Sequence, residues 1–295
     1  MHSVVDKHES THRVAILWDS ITEPGKIAPT LRRNYNKETA LRSVGFDMDP
    51  CNDMEFSDWF GAPDKTTIRN RMDNGWAEGA DKINNISIGE ITPTSVKRIR
   101  SKGDQGDELD MQAVWMGNLP RAWTRTRRTR RFGTRVLNIM INIGDNCSVK
   151  AEDLFWRGGS ALRMTDALME AGYAVSIYAA KAGKNFCEDL ENTAYGQFVE
   201  IKASDAQLDL SQMAAITAMP GWFRSHCFAG ICCCADLLGD DVTEGLGRSI
   251  HEMDMFADML GLQGEMIFQP RINNKNDAEN WIKDVLLKIE GRHAA

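Results

Sequence analysis

Residues 135–180 constrain the fold more than any other part of the chain, because they predict a strand, a helix and a second strand in succession. VLNIMINIG at 136–144 is short and rich in Val, Ile and Met, which is typical of a buried strand. Apolar residues then recur at helical spacing from Leu154 to Ala171, and Gly172 is a typical helix-terminating residue. AVSIYAA at 174–180 predicts the next strand. A strand–helix–strand unit of this length joins two parallel strands by a right-handed crossover.

The alternation of strands and helices continues to the end of the chain. Further strands are predicted at 197–203 and 264–270. Further helices are predicted at 209–219, 222–239, 248–261 and 276–291. This pattern indicates an α/β fold with three layers, in which an open, mostly parallel sheet carries helices on both faces.

The N-terminal part is less regular, and we predict three regions along the chain. Residues 1–12 are expected to be a disordered tail. Residues 13–134 form an irregular or helical N-terminal extension, in which VAILWD at 14–19 predicts a short strand. Residues 135–295 form the α/β domain.

The lengths of the apolar runs and the pattern of cysteines indicate in which cellular compartment the protein is expected. No apolar run approaches the ~18 residues that cross a bilayer, and the N-terminal sequence has no apolar signal-peptide core. The seven cysteines are odd in number and three are adjacent, which is a poor disulfide framework. We therefore expect a cytoplasmic protein with free thiols and no membrane partner.

The loop after the first strand of the 135–180 unit is the first candidate site, because ligands bind beyond the carboxyl ends of strands in open α/β sheets. It contains Asp145, Asn146, Cys147 and Ser148. The oxygens of Asp145 and Ser148 could ligate a divalent cation, and a helix N-terminus lowers the pKa of a thiol such as Cys147. The alternative is that these residues only turn the chain and cap the helix.

The order of strand, aspartate-containing loop, long helix and strand resembles the opening of a von Willebrand factor A-type domain. That family carries an Asp-x-Ser-x-Ser metal motif in this loop, and the matching stretch here is Asp145-Asn146-Cys147-Ser148-Val149. Only the aspartate matches, since Cys147 and Val149 stand where the two serines belong. The resemblance implies a von Willebrand A/Rossmann-like scaffold with a degenerate metal motif.

A second resemblance covers residues 70–180. GWAEG at 75–79, the segment 107–120 and the long stretch from Arg135 to Tyr173 are similar to phage-encoded proteins of no established activity. This resemblance implies a viral gene expressed in the cytoplasm of a bacterial host, and it implies no mechanism.

A basic run at residues 121–135, which leads into the first strand of the 135–180 unit, is the second candidate site. It contains seven arginines and no acidic residue, although the chain as a whole carries a net charge of −7. The candidate nucleic-acid contacts are Trp123 and Arg121, Arg125, Arg127, Arg128, Arg130, Arg131 and Arg135. Arginines bind phosphates and aromatic rings stack on bases. The alternative is that the arginines keep a strand edge solvated or pair with the protein's own acidic residues.

Two further patterns predict structure rather than chemistry. His226, Cys227 and Cys232 to Cys234 lack the paired spacing of a zinc site, so we expect buried cysteines on a helix. The glycine pair in RGGSAL at 157–162 interrupts a helix at a cost of roughly 1–2 kcal/mol relative to alanine, which close helix packing or a kink would explain.

Complete catalytic motifs are missing from the sequence. It has no dinucleotide-binding Gly-x-Gly-x-x-Gly after a strand, no phosphate-binding loop and no Gly-x-Ser-x-Gly elbow. The leading hypothesis is therefore a non-enzymatic module with an A-domain-like scaffold that holds a protein partner through the loops at the carboxyl edge of the sheet, with Asp145, Asn146, Cys147 and Ser148 as the binding-loop candidates. A nucleic-acid-associated protein and an enzyme with its site at Asp145–Ser148 are the alternatives.

Overall fold

The computed structural model describes residues 1–8, 11–88, 97–103, 105–106, 108–129 and 136–291. The strands are β1 (His2–His8), β2 (Thr11–Trp18), β3 (Lys97–Gly103), β4 (Glu108–Leu109), β5 (Trp123–Thr129), β6 (Val136–Asn142), β7 (Ala174–Lys184), β8 (Thr193–Lys202), β9 (Arg248–Ile250) and β10 (Glu265–Phe268). The α-helices are α1 (Glu23–Ile27), α2 (Asn34–Val44), α3 (Phe56–Phe60), α4 (Lys65–Asn74), α5 (Ala77–Asn84), α6 (Met111–Trp115), α7 (Ala151–Glu170), α8 (Leu210–Thr217), α9 (Phe228–Leu238), α10 (Asp254–Met259) and α11 (Lys275–Gly291).

The main sheet has seven strands in the order β1-β2-β8-β7-β6-β10, and β9 pairs with the far end of β7. The pairings β2–β8, β6–β7 and β6–β10 are parallel. The pairings β1–β2, β7–β8 and β7–β9 are antiparallel. The fold is therefore α/β with an open, mixed sheet flanked by helices, and the expected mostly parallel character is not confirmed.

The predicted strand–helix–strand unit is confirmed. β6 and β7 pair in parallel from Val136 opposite Ala174 to Asn142 opposite Ala180, and α7 connects them. Leu154, Leu162 and Leu168 of α7 are buried, as the helical periodicity predicts. The carboxyl end of β6 therefore lies where the candidate loop leaves the sheet.

The N-terminus departs from the prediction. Residues 2–8, expected within a disordered tail, form β1 and pair along their whole length with β2. β2, in turn, pairs in parallel with β8, so residues 11–18 belong to the main sheet and not to an irregular extension. The physical reason is that strand pairing satisfies the backbone groups of a polar segment that has little apolar surface of its own.

Side chains alternate between two cores on opposite faces of the sheet. Val14 and Ile16 of β2 point into the larger core, which α7, α8 and α9 cover, whereas Ala15 lies in the smaller one. α10 covers the smaller core with Phe256 and Ala257. The larger core draws on residues from Val14 to Ile289, so the helices before residue 88 share it with the later elements. A boundary at residue 134 between independently folding parts stays a prediction.

Gly158, the first glycine of the pair in α7, is explained by close packing. A β-carbon at Gly158 would lie 2.3 Å from the Thr217 carbonyl group at the end of α8. α7 runs unbroken from Ala151 to Glu170, so the glycine allows helix contact and not a helix interruption.

The segment 248–261, predicted as one helix, divides into β9 and α10. Residues 248–250 pair with the end of β7, and this pairing competes with local helix formation. The cysteine-rich segment forms a π-helical turn at Phe223–Cys227 followed by α9, which ends at Gly239 in the left-handed conformation. Cys227, Cys232, Cys233 and Cys234 are buried, as predicted.

Candidate functional site

The β6–α7 loop (residues 143–150) leaves the sheet at the carboxyl end of β6, as expected. The structure separates its four candidate residues, because Asp145 is buried whereas Asn146, Cys147 and Ser148 are exposed. The helix-capping interpretation is wrong: the N-cap of α7 is Lys150, which makes no side-chain capping bond. Asn146 instead closes a turn by accepting a bond from the Val149 amide at its carbonyl oxygen.

Asp145 is held by two arginines. Its Oδ2 atom accepts from Nη2 of Arg157 and lies 3.1 Å from Nε of Arg271, while Oδ1 accepts from the Asn146 amide at 2.8 Å. Burial alone raises the pKa of Asp145, but the hydrogen bond and positive charge of Arg157 outweigh it, so the pKa lies below its usual value. Asp145 is therefore a buried carboxylate with both oxygens engaged.

Arg157 is fully buried and fixes two loops to α7. Nε donates to the Ile272 carbonyl at 2.9 Å, Nη1 donates to the Gly144 carbonyl at 2.7 Å, and Nη2 also donates to Oδ1 of Asn273 at 3.0 Å. The sequence pattern contained a signal that our reasoning missed. Arg157 lies three residues after Leu154 on the apolar face of α7, and a buried charge normally has a partner.

Lys181 lies beside this pair at the end of β7. Its Nζ bonds to the Ser249 hydroxyl, its aliphatic stem packs against Gly144, and its ammonium lies 5.6 Å from the Phe223 ring centroid. Burial lowers the pKa of Lys181 to about 7. A lysine that is half neutral at neutral pH is suited to proton transfer only if a substrate can reach it.

The strand β9 closes over the lysine. Asn146 Oδ1 accepts from the Ser249 amide at 3.3 Å, and the Asn142 amide nitrogen lies 2.6 Å from Nδ1 of His251. Lys181 and Asp145 are only 3% and 5% exposed. This arrangement binds the loop firmly to the sheet and offers no open access to either group.

Arg224 fixes the other half of the β6–α7 loop. It is buried, donates to the carbonyl oxygens of Trp59 and Val149, and lies with its guanidinium 4.7 Å from the Trp59 ring centroid. It also donates to the Cys147 carbonyl at 3.4 Å. The loop is thus held from both sides by buried arginines that come from other elements.

The predicted cation site was tested against this geometry. Asp145 has two arginine partners, Ser148 is exposed, and Cys147 and Val149 replace the serines of the A-type motif. Among the described residues, no three His, Cys, Asp or Glu side chains come together as metal ligands. The residues present do not fit a divalent cation at this loop.

Residues 97–135 are called the basic arm, and the described part of the basic run, residues 121–129, lies in or next to a second, three-stranded sheet. β3 and β5 pair antiparallel, with β4 on the other side of β5. Arg98 is the register partner of Arg128, and Ser101 is the partner of Arg125. Arg127 lies opposite Ile99 in the same ladder. Arg121 is exposed just before β5, whereas the predicted contacts Arg130, Arg131 and Arg135 lie outside the described residues.

Between β4 and β5 the arm exposes large apolar side chains. Trp115 at the end of α6 is 80% exposed, Met116 is 78% exposed and Leu119 is 61% exposed. Leu109, Met111 and Trp123 are also exposed. Of these side chains only Trp123 was predicted as a contact, because a short apolar segment of sequence gives no sign of whether the fold covers it.

A groove of about 600 Å³ was also not predicted. It runs between α5 and the start of α7 and is lined by Trp76, Phe155, Trp156, Lys82 and Lys150, among others. Its volume is within the range of small-molecule sites. Asp145 and Lys181 are not among its lining residues.

Comparison with known proteins gives one finding. A family model described as a domain of unknown function, DUF7192, matches residues 8–293. The chain belongs to the DUF7192 family. No curated protein and no solved structure matches it. The DUF7192 match contains the β6–α7 loop, the groove and the basic arm, so all three lie within the family region. In the described part of the chain, no helix combines the length and apolarity needed to span a membrane.

Proposed function

We propose that the protein is a non-enzymatic binding module that holds an acidic protein partner through the basic arm. The observation that carries this proposal is the exposure of Trp115, Met116 and Leu119, the most exposed large apolar side chains among the described residues. Exposed apolar patches with polar rims mark interaction sites, and Trp, Met and Arg are enriched at interfaces.

The charge of the basic arm indicates the charge of the partner. Residues 97–135 carry eleven lysines and arginines against four acidic residues, a formal charge of +7, so the rest of the chain carries −14. A segment that combines positive charge with exposed apolar side chains complements an acidic surface with an apolar centre, and the opposite charges speed the encounter. The part of the chain outside the basic arm is itself acidic, so the arm of one copy could bind a second copy. The test must therefore distinguish self-association from binding to another protein.

The scaffold is proposed to be A-domain-like, with arginines in place of the divalent cation. The support is the strand, aspartate loop, helix and strand order together with the Arg157 and Arg271 contacts to Asp145. A phage origin and a bacterial cytoplasmic location belong to the same proposal, and they rest on the sequence resemblance and the free cysteines.

Nucleic-acid binding is the second candidate, and one observation favours it. The β3–β5 ladder is rich in arginine, with Arg98 and Arg128 as direct register partners. Arginines neutralise the phosphates of a nucleic-acid backbone. Met116 and Leu119 favour the protein partner instead, because aliphatic side chains do not stack on bases as aromatic ones do.

The test compares three versions of the full chain as bait. They are the natural sequence, a Trp115→Ser/Leu119→Ser variant, and a Leu287→Ser control that changes an exposed leucine of α11 outside the arm. Light scattering first gives the mass of each version alone. Capture from nuclease-treated lysate follows, and each retained protein is identified, purified and titrated back against all three versions at two salt concentrations.

We expect the natural chain to retain an acidic protein. The Trp115→Ser/Leu119→Ser variant should bind that protein at least about tenfold more weakly, which corresponds to a loss of about 1.4 kcal/mol of binding free energy. The Leu287→Ser control should bind as the natural chain does, and added salt should weaken binding. Equal binding by all three versions, or capture of no acidic protein from the nuclease-treated lysate, would overturn it. If the natural chain and the Leu287→Ser control are dimers and the Trp115→Ser/Leu119→Ser variant is a monomer, the partner is a second copy of the chain.

A further inference from the structure

Two cysteines from distant parts of the chain meet at the surface. The Sγ atoms of Cys51 and Cys147 lie 2.6 Å apart, although the residues are 96 positions apart in sequence. Cys147 is exposed in the β6–α7 loop, and Cys51 is half-buried in a single turn of 3-10 helix at Cys51–Asp53. The two thiols are therefore in direct contact and one of them is open to solvent.

The remaining five cysteines are poor candidates for thiol chemistry. All are buried, and burial raises the pKa of Cys187, Cys227 and Cys233 to about 12. Burial also raises the pKa of Cys232 and of Cys234. Because the thiolate is the reactive form, chemistry at neutral pH is confined to the exposed pair.

The backbone around the pair is fixed by contacts that do not involve sulfur. The Trp59 indole nitrogen donates to the Cys147 carbonyl at 3.0 Å, and the Lys150 ammonium lies 3.0 Å from the Asp58 carboxylate. Arg224 donates to the same Cys147 carbonyl at 3.4 Å. The Cys147 side of the pair is therefore held by contacts that persist when either sulfur is removed.

We propose that Cys51 and Cys147 form a reversible dithiol–disulfide pair that small-molecule disulfides such as glutathione disulfide oxidise. Cys147 attacks first, because it is the exposed thiol. Its thiolate bonds to one sulfur of glutathione disulfide, the S–S bond breaks, and one glutathione leaves. Cys51 then loses its proton and attacks the Cys147 sulfur, which releases the second glutathione. Two protein thiols are oxidised by two electrons, and the two glutathione thiols that form take up the two protons.

The hydrogen bond between the two thiols supports the order in which Cys147 and then Cys51 react. Contact with Cys147 raises the pKa of Cys51, so Cys51 keeps its proton until the neighbouring sulfur has reacted. The resulting bond would tie the 51–53 turn to the β6–α7 loop. It would constrain the unfolded chain through a long closed loop, so the oxidised protein should melt at a higher temperature.

The experiment uses the purified full chain equilibrated with glutathione disulfide and then with dithiothreitol. Thiols that react under native conditions are counted by maleimide labelling, and the linkage is located by peptide mass mapping. We expect two reactive thiols in the reduced protein, none after oxidation, a Cys51–Cys147 linked peptide, no bound glutathione, and full reversal by dithiothreitol.

Variants separate this proposal from simple surface reactivity. Oxidised Cys51→Ser should hold one glutathione on Cys147, because the second attack is lost. A Cys233→Ser control, which removes a buried thiol, should form the same linked peptide as the natural chain. Glutathione on both cysteines of the natural chain, a linkage between two chains, or two thiols still reactive after oxidation would each overturn the proposal.

Discussion

Replacing Gly158 by alanine tests the close contact between α7 and α8. The added β-carbon would lie 2.3 Å from the carbonyl carbon and oxygen of Thr217 and 2.4 Å from the amide nitrogen of Ala218. These are backbone atoms, which cannot rotate aside as a side chain can. The two helices would have to separate by roughly 1 Å to restore ordinary van der Waals contact.

The expected cost follows from two opposing effects. Overpacking a close-packed core costs about 1–3 kcal/mol, and a backbone obstacle favours the upper end of that range. Alanine offsets about 1 kcal/mol of this, because it is the better helix former. We therefore expect Gly158→Ala to lower the free energy of unfolding by about 2 kcal/mol, which corresponds to a Tm lower by roughly 3 °C for a chain of 295 residues.

The neighbouring glycine is the matched control. A β-carbon at Gly159 would meet the side-chain ends of Ile86 at 3.1 Å and Ile83 at 3.4 Å, which can move by a few tenths of an ångström. The free energy of unfolding of Gly159→Ala should therefore equal that of the natural chain or exceed it by up to about 1 kcal/mol. Urea unfolding followed by tryptophan fluorescence and far-UV circular dichroism measures both variants. Equal midpoints for the two variants, or a Gly158→Ala protein more stable than Gly159→Ala, would refute the packing argument.

Three further predictions concern the buried charges. Lys181 has a folded-state pKa of about 7, below its unfolded value, so at this group the unfolded chain binds more protons than the folded chain above about pH 7. The five buried cysteines act in the opposite sense above about pH 8.5 because burial raises their pKa, so the test is confined to about pH 7–8.5, where the stability of the natural chain should rise relative to that of Lys181→Met by up to about 1.4 kcal/mol per unit in urea titrations. Equal pH slopes for the two proteins would contradict the burial argument. Asp145→Asn should cost about 3–5 kcal/mol at neutral pH because it leaves Arg157 buried without its carboxylate, and a cost under 1 kcal/mol would contradict this. Since the Asp145 pKa is lowered, its stabilisation should be present above about pH 4 and lost as the pH falls through the folded value, so the natural chain and Asp145→Asn should converge in stability in acid.

Local sequence pattern determined the parts of the fold that depend on neighbouring residues. The β6–α7–β7 unit, the buried cysteine-rich helix and the end of α9 at Gly239 follow from apolar periodicity and from the conformational freedom of glycine. The position of the β6–α7 loop at the carboxyl end of β6 followed from the same reasoning. These features are encoded within a few turns of chain, so they are readable without the fold.

Tertiary structure alone decided which distant groups meet. Asp145 pairs with Arg271, 126 positions away, and Cys51 meets Cys147 across 96 positions. The sheet order likewise brings β2 against β8, which converts a predicted extension into part of the main sheet. No local periodicity specifies such contacts, because they depend on how strands and helices from different regions pack together. That packing made Asp145 a buried ion-pair partner and not an open ligand, and it left the apolar side chains of the basic arm exposed.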